Sequence, residues 1–172
     1  YDAWMNNREL VLDFYNNRRK QVLNANPNAA HKFVAELESS FDVHVITQNV
    51  DDLHERAGSK NVMHLHGELM KARSSVDPNL IYHLSDKDLK NGDLCEKGSQ
   101  LRPHIVWFGE LVPMMDVANQ LAASADLFVV IGTSLHVYPA AGVVDYVRTY
   151  IHAWLFVPGE FNFYSVKELR HI

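Results

Sequence analysis

Residues 126–132 run Asp-Leu-Phe-Val-Val-Ile-Gly, and no other stretch constrains the fold as tightly. A continuous apolar run closed by glycine is expected for a parallel strand covered on both faces, because an antiparallel strand at a surface alternates apolar and polar residues. Gly132-Thr133-Ser134 then marks the loop at that strand's C-terminal end. A helix is expected from about Ala140 to Tyr150, followed by a second apolar stretch, Ala153 to Val157. Strand, helix and strand in that order imply an open α/β sheet. Ligands bind such sheets beyond the C-terminal ends of the strands.

The N-terminal half supplies matching elements. Leu10, Val11, Phe14, Val22 and Leu23 recur at near-helical spacing between Asn7 and Asn24, and Pro27 bounds the helix. A second helix, Ala29 to Leu37, places Ala30, Phe33, Val34 and Leu37 on one face and leads into the strand-like run Val43 to Thr47. From Glu68 to Arg102 the pattern turns polar, with Asp77-Pro78, Asn91-Gly92 and Gly98 as turn signals. The expected organisation is one domain from residues 1–67 and 103–172, interrupted by a small module at 68–102. The tail from Pro158 has weak periodicity and receives no element.

Composition narrows the function. With 172 residues, 47% of them hydrophobic, the chain can bury a core of its own. A formal charge of -5 and no Lys/Arg run disfavour a nucleic-acid platform. No apolar stretch approaches the roughly 20 residues of a membrane span, and residues 1–20 lack the order of a signal peptide, so a cytoplasmic protein is expected. Its partner is expected to be a protein or small molecule. The lone Cys95 can neither form an internal disulfide nor hold a four-coordinate zinc site by itself.

Polar groups gather where apolar strands end. Thr47-Gln48-Asn49-Val50-Asp51-Asp52 is one such exit, His64-Leu65-His66-Gly67-Glu68 adds two imidazoles and a glycine, and Gly132-Thr133-Ser134 is another exit. Taken singly, each is compatible with a polar turn. On a strand, His64 and His66 would share a face, which leaves metal ligation by these two and a carboxylate open beside a pair of structural histidines.

Taken together, TQNVDDLHERAG, HLHGEL, LRPHIVWFGE and GTSLHVYPAAG occur here in the order seen in sirtuins, and from about Phe14 to Val144 the chain resembles that family. The resemblance implies a Rossmann-like fold and an NAD-dependent protein-lysine deacylase. Gln48, Asn49, Val50 and Asp51 would then bind the nicotinamide and ribose end of NAD, with Gly132, Thr133 and Ser134 lining the dinucleotide site. His66 would be the general base, a role that suits imidazole because it changes charge near neutral pH. The segment 106–110 looks like the strand edge on which the substrate peptide lies, through Val106, Phe108, Gly109 and Glu110.

Family members commonly hold zinc with four cysteines, and residues 69–102 contain only Cys95, so no metal is expected. Tyr15 and Arg18 lie three apart on the first helix and share a face, where a phenol and a guanidinium could grip a carboxylate. The same Tyr-x-x-Arg spacing occurs in sirtuins that remove succinyl, malonyl and glutaryl groups. The expected substrate is therefore a succinyl- or malonyl-lysine in a protein, with acetyl-lysine a further candidate. A catalytically impaired module that binds NAD or ADP-ribose is the alternative.

Overall fold

The structure, a computed structural model, describes residues 1–133, 135–148, 152–157 and 160–165. The chain divides into two compact units, Tyr1–Leu111 and Val112–Ile172.

The first unit opens with α1 (Asp2–Asn6), α2 (Arg8–Asn24) and α3 (Ala29–Leu37). Asn7 caps α2 by accepting the Leu10 N–H at 3.1 Å, which satisfies one of the orphan donors at a helix start. The helix ends at Asn24, ahead of Pro27, as the spacing implies. Asn28 caps α3 in a reciprocal pair with His31, and this helix has the bounds expected of it. β1 (Val45–Thr47) is two residues shorter than its apolar run and pairs in parallel with β2 (Val62–His64). Between them lies α4 (Leu53–Ala57), which the sequence did not announce; a helix this short has no periodicity to detect.

The region expected to be irregular contains an ordered sheet. β3 (Gly67–Ser74) lies between β4 (Ile81–His83) and β5 (Leu101–Ile105), antiparallel to both. A register shift between Glu68 and Ala72 breaks the alternation of β3, so its buried residues Leu69, Ala72 and Ser74 do not follow period two throughout. Trp4, Leu12, Ala72 and Leu89 form the adjoining core, with Val11, Leu84, Leu101 and Trp107 against it.

Two buried polar residues dock α2 onto this region. The Asn16 amide donates to the Leu89 carbonyl at 2.9 Å and accepts the Leu89 N–H at 3.0 Å. One helical turn on, Arg19 donates to the Lys87 carbonyl at 2.7 Å and to Asn16 Oδ1 at 2.9 Å. These bonds fix the rotation of α2 about its axis, because Leu12, Asn16 and Arg19 lie on one stripe and all are buried.

The second unit contains α5 (Met115–Ser124), β6 (Leu127–Ile131), a 3₁₀ segment at Ala140–Tyr146, β7 (His152–Val157) and β8 (Glu160–Ser165). β6 and β7 are parallel, as expected, and β8 adds antiparallel to β7 in the tail that had received no element. Helix α5 escaped notice because its buried stripe consists of Ala118 and Ala122, which contribute little apolar signal. The helix expected from Ala140 is a 3₁₀ segment ending at Tyr146, and residues 149 and 150 lie outside the described set.

One expectation about β6 is corrected. Val130 is buried, whereas Leu127, Val129 and Ile131 are between 41% and 52% exposed. Successive side chains of a strand point to opposite faces, and the described residues cover only the face carrying Phe128 and Val130. No described helix is long and apolar enough to cross a membrane.

Replacing Asn16 with Leu keeps a branched side chain, though a larger one, and strands both buried backbone groups of Leu89. Urea denaturation should show a loss of about 2–4 kcal/mol, since each buried unsatisfied group costs about 1–3 kcal/mol. Unchanged stability would mean that water replaces the amide.

Candidate functional site

The exit of β1 is built by its last residue. Buried Thr47 accepts the Asn49 N–H on Oγ1 at 3.0 Å, turning the chain so that residues 48–52 pass over the strand end. Asp51 accepts the Leu53 N–H at 3.1 Å, and the Val50 carbonyl accepts the Leu69 N–H at 2.7 Å. Gln48, Val50 and Asp51 are half-buried, and Asn49 is exposed.

The two histidines do not share a strand face. β2 ends at His64, and Leu65-His66 forms a turn into β3. Leu65, 2% exposed, anchors that turn and donates its N–H to the Thr47 carbonyl at 2.9 Å. Gly67 follows at φ +84°, and a Cβ there would lie 2.0 Å from the His104 carbonyl oxygen. Only glycine allows this approach, and the pairing of Gly67 with Ile105 depends on it.

The turn gives the two rings different partners. His66 Nδ1 is 3.2 Å from the Gln48 carbonyl oxygen. A carbonyl only accepts, so Nδ1 carries the proton, and in the neutral ring Nε2 keeps its lone pair. His64 Nδ1 is 3.1 Å from the Asn49 carbonyl, and its Nε2 is 2.7 Å from Glu55 Oε1. Both partners accept, so the ring satisfies both only by donating from each nitrogen. His64 thus joins β2, the β1 exit and α4, while His66 presents a basic nitrogen.

The segment 106–110 is a turn, not a continuation of the strand. β5 ends at Ile105, the Val106 N–H donates to the His66 carbonyl at 2.9 Å, and Gly109 has φ +86°. Phe108 is 94% exposed at the tip. The Glu110 carboxylate faces inward: it accepts from Arg102 Nη1 at 2.6 Å and Nη2 at 3.1 Å, from Arg73 at 3.2 Å and from the Trp107 N–H at 2.9 Å. Burial, the largest single influence, would raise its pKa, but the hydrogen bonds from Arg102 and Trp107 together with the charges of Arg102 and Arg73 outweigh it and hold the carboxyl below the usual range.

Tyr15 and Trp107 link α2 to this turn, because the indole N–H of Trp107 donates to the Tyr15 hydroxyl at 2.8 Å. Burial raises the pKa of that phenol, so it remains protonated. Arg18 is exposed and makes one long contact, 3.4 Å to Gln21. In the second unit, Gly132 has φ +65° with open space where a Cβ would sit, and Thr133 Oγ1 accepts the Leu135 N–H at 3.2 Å. Ser134 lies outside the described residues.

The residues present do not fit a structural zinc site in the small module. Ser74 Oγ lies 2.6 Å from Ser99 Oγ, and Ser99 Oγ lies 3.1 Å from Cys95 Sγ. Asp77 is taken by Lys97 at 2.7 Å. A hydrogen bond from Ser99 lowers the Cys95 thiol to about 7, but one thiol and one engaged carboxylate fall short of four ligands. Among the described residues, Glu55, His64 and Glu68 bring potential ligand atoms within 4.8 Å of one another. That group excludes His66, Glu55 already binds His64, and Glu68 pairs with Lys71 at 2.7 Å.

Asn16, Arg19 and Trp107 were not singled out by pattern. The signal available for the first two was a pair of polar residues on the apolar stripe of α2, in register with Leu12.

The chain is similar in sequence and in fold to known proteins. An NAD-dependent protein deacylase of Helicobacter pylori is 57% identical over 141 residues, covering 82% of this chain and 61% of the relative. One from Bacteroides thetaiotaomicron is 49% identical over 174 residues, covering 98% of this chain and 74% of the relative. The chain thus spans 61% and 60% of the length of its two Helicobacter pylori relatives. The crystal structure of a Sir2 homologue–NAD complex superposes with a TM-score of 0.84 at 41% identity, over 92% of this chain and 64% of that one. A Sir2 structure bound to a propionylated peptide gives 0.78 at 32% identity, over 99% and 79%. These likenesses establish the Rossmann-like α/β fold, and with the Sir2 family's sequence model matching residues 1–139, the chain belongs to the Sir2 family.

Proposed function

We propose that the chain is part of an NAD-dependent protein-lysine deacylase whose base is His66 and whose preferred acyl groups are acidic, succinyl or malonyl, with acetyl also accepted. The observation that carries this proposal is the bond from His66 Nδ1 to the Gln48 carbonyl, which leaves Nε2 as the basic nitrogen beside the β1 exit. Support for the reaction comes from the deacylases and the NAD and acyl-peptide complexes to which the chain is similar.

Gln48, Asn49, Val50 and Asp51 would hold the nicotinamide and ribose end of NAD, and Gly132, Thr133 and Ser134 would line the remainder. Among the described residues no atom lies within 4 Å of where a Gly132 Cβ would sit, which suits close approach by a ligand. When bound, NAD would supply a ribose carbon made electrophilic as its bond to nicotinamide breaks, so that an amide oxygen, a poor nucleophile, can attack it. His66 would take a proton from a ribose hydroxyl through Nε2, and the Gln48 carbonyl would stabilise the charged ring by accepting from Nδ1. The turn at 106–110 would carry the substrate peptide through Val106, Phe108 and Gly109. Glu110 would act on the peptide indirectly, by shaping that turn, since its carboxylate is engaged by Arg73 and Arg102. Residues 68–102 would form the small module, held without metal.

Acidic acyl preference rests on Tyr15 and Arg18. They share a face of α2, and the rotation of that helix is set by Asn16 and Arg19. Among the described residues Arg18 makes only the 3.4 Å contact to Gln21, so a substrate carboxylate could recruit it.

His66→Ala should lower acyl removal by more than about 100-fold, the lower end of a general base's contribution, with an unchanged circular dichroism spectrum. Normal turnover by the folded variant would refute the assignment. Arg18→Met should cost about 1.5–3 kcal/mol in catalytic efficiency on a succinyl peptide and little on the matched acetyl peptide, as expected for a hydrogen bond to a charged group. Equal losses on both would move Arg18 out of the acyl site. Dialysis against a chelator should leave the thermal midpoint unchanged, whereas stoichiometric zinc surviving dialysis would reveal ligands outside those considered.

A further inference from the structure

We infer that Trp107 is a positioning residue for acyl selectivity: its indole N–H fixes the Tyr15 hydroxyl as a hydrogen-bond donor available to the carboxylate of an acidic acyl group. This inference rests on the proposed preference for acidic acyl groups and names a group that acts through Tyr15 without touching the substrate carboxylate.

An indole nitrogen only donates, whereas a phenol both donates and accepts. At 2.8 Å, the Trp107 N–H occupies a lone pair of the Tyr15 oxygen. Among the described residues no group accepts the Tyr15 proton, so the hydroxyl has a donor to offer outward. A carboxylate is acceptor-only, and an acetyl methyl accepts nothing, so an oriented donor separates the two substrates where a freely rotating hydroxyl would do so less well. Burial raises the phenol's pKa, which keeps the proton in place.

Trp107 is itself held firmly. Its backbone N–H donates to Glu110 at 2.9 Å, and the Arg102 guanidinium lies 3.4 Å from its ring centroid. The Trp4 ring packs against it at 5.7 Å between centroids, tilted by 44°. Tyr15 is braced on another side by the edge of Phe14 at 5.1 Å. Little rotamer entropy remains to be lost when a ligand binds, which is the condition under which a single hydrogen bond expresses itself in affinity. The bond also joins α2 to the turn expected to carry the peptide, so the acyl end and the backbone end of one substrate would be read by residues in direct contact.

The test is a double-mutant cycle on matched succinyl and acetyl peptides, combined with NMR of the ¹⁵N-labelled protein. Trp107→Phe keeps an aromatic ring for Arg102 and removes the N–H. The ratio of succinyl to acetyl efficiency should fall about fivefold to tenfold, the effect of one hydrogen bond, and it should fall through the succinyl KM. Tyr15→Phe should lower the ratio at least as much, and the double variant should fall no further than Tyr15→Phe alone. Should Trp107→Phe fold poorly, Tyr15→Phe still decides the matter: it removes one oxygen, and the Trp107 indole N–H resonance should move upfield. A stationary resonance, additive losses, or an unchanged ratio in Trp107→Phe beside a lowered one in Tyr15→Phe would overturn the role of Trp107 and leave the acidic-acyl proposal standing. A wild-type protein with no preference for succinyl would overturn both.

Discussion

The Glu110 carboxylate organises the turn side of the first unit. Four donors converge on its two oxygens: two from Arg102, one from Arg73 and the backbone N–H of Trp107. Arg102 is 4% exposed, and a buried guanidinium without its partner would be expensive, on the order of 3–5 kcal/mol when one member of a buried pair is removed. The pairing therefore dictates local geometry. It forces the chain to leave β5 at Ile105 and curl back, which sets Trp107 beneath Arg102 and within reach of Tyr15. Two guanidinium groups against one carboxylate also leave a net positive charge beside the phenol. A sequence scan sees Glu110 as an acidic residue in an exposed motif, whereas the structure makes it the anchor for what surrounds it.

What was legible in the sequence follows from how much each element depends on local signals. α2 and α3 announce themselves through period and caps, because Asn7 and Asn28 satisfy helix-start donors by purely local bonds. Of the parallel strands, β1, β6 and β7 were visible as apolar or strand-like runs, whereas the three residues of β2 were not. The sheet of β3, β4 and β5 was not, since a register shift spoils the alternation of β3 and β4 is only three residues long. The expected sharing of a face by His64 and His66 failed for a related reason. It assumed strand geometry, while Gly67, needed for the approach to His104, turns the chain and splits the pair. The motif named the residues proposed for the site but could not supply their tautomers or partners.

The difference between the two histidines shows why partners matter more than residue type. Both lie within three residues and both have a backbone carbonyl against Nδ1. For His64 the second nitrogen meets a carboxylate, so the ring is consumed in joining three elements. For His66 no carboxylate faces Nε2 among the described residues, and a lone pair there is what a general base requires.

Across residues 68–102 the proposed selectivity depends on how the fold is stabilised. A structural zinc contributes on the order of 10 kcal/mol to the folding of the loops it binds, whereas each hydrogen bond of the Ser74, Ser99 and Cys95 cluster adds about 1 kcal/mol. Hydrogen bonds of that size close the turns, but they do not replace a metal as a source of independent stability. The proposed module, without a metal, would therefore lean on its neighbour, and its buried contacts include those of Ala72 and Leu89 in the core and of residues 87–89 with Asn16 and Arg19. These are the bonds that fix the rotation of α2, and hence the direction in which Tyr15 and Arg18 project. The stability of the proposed metal-free module and the geometry proposed for acyl recognition then become properties of the same helix.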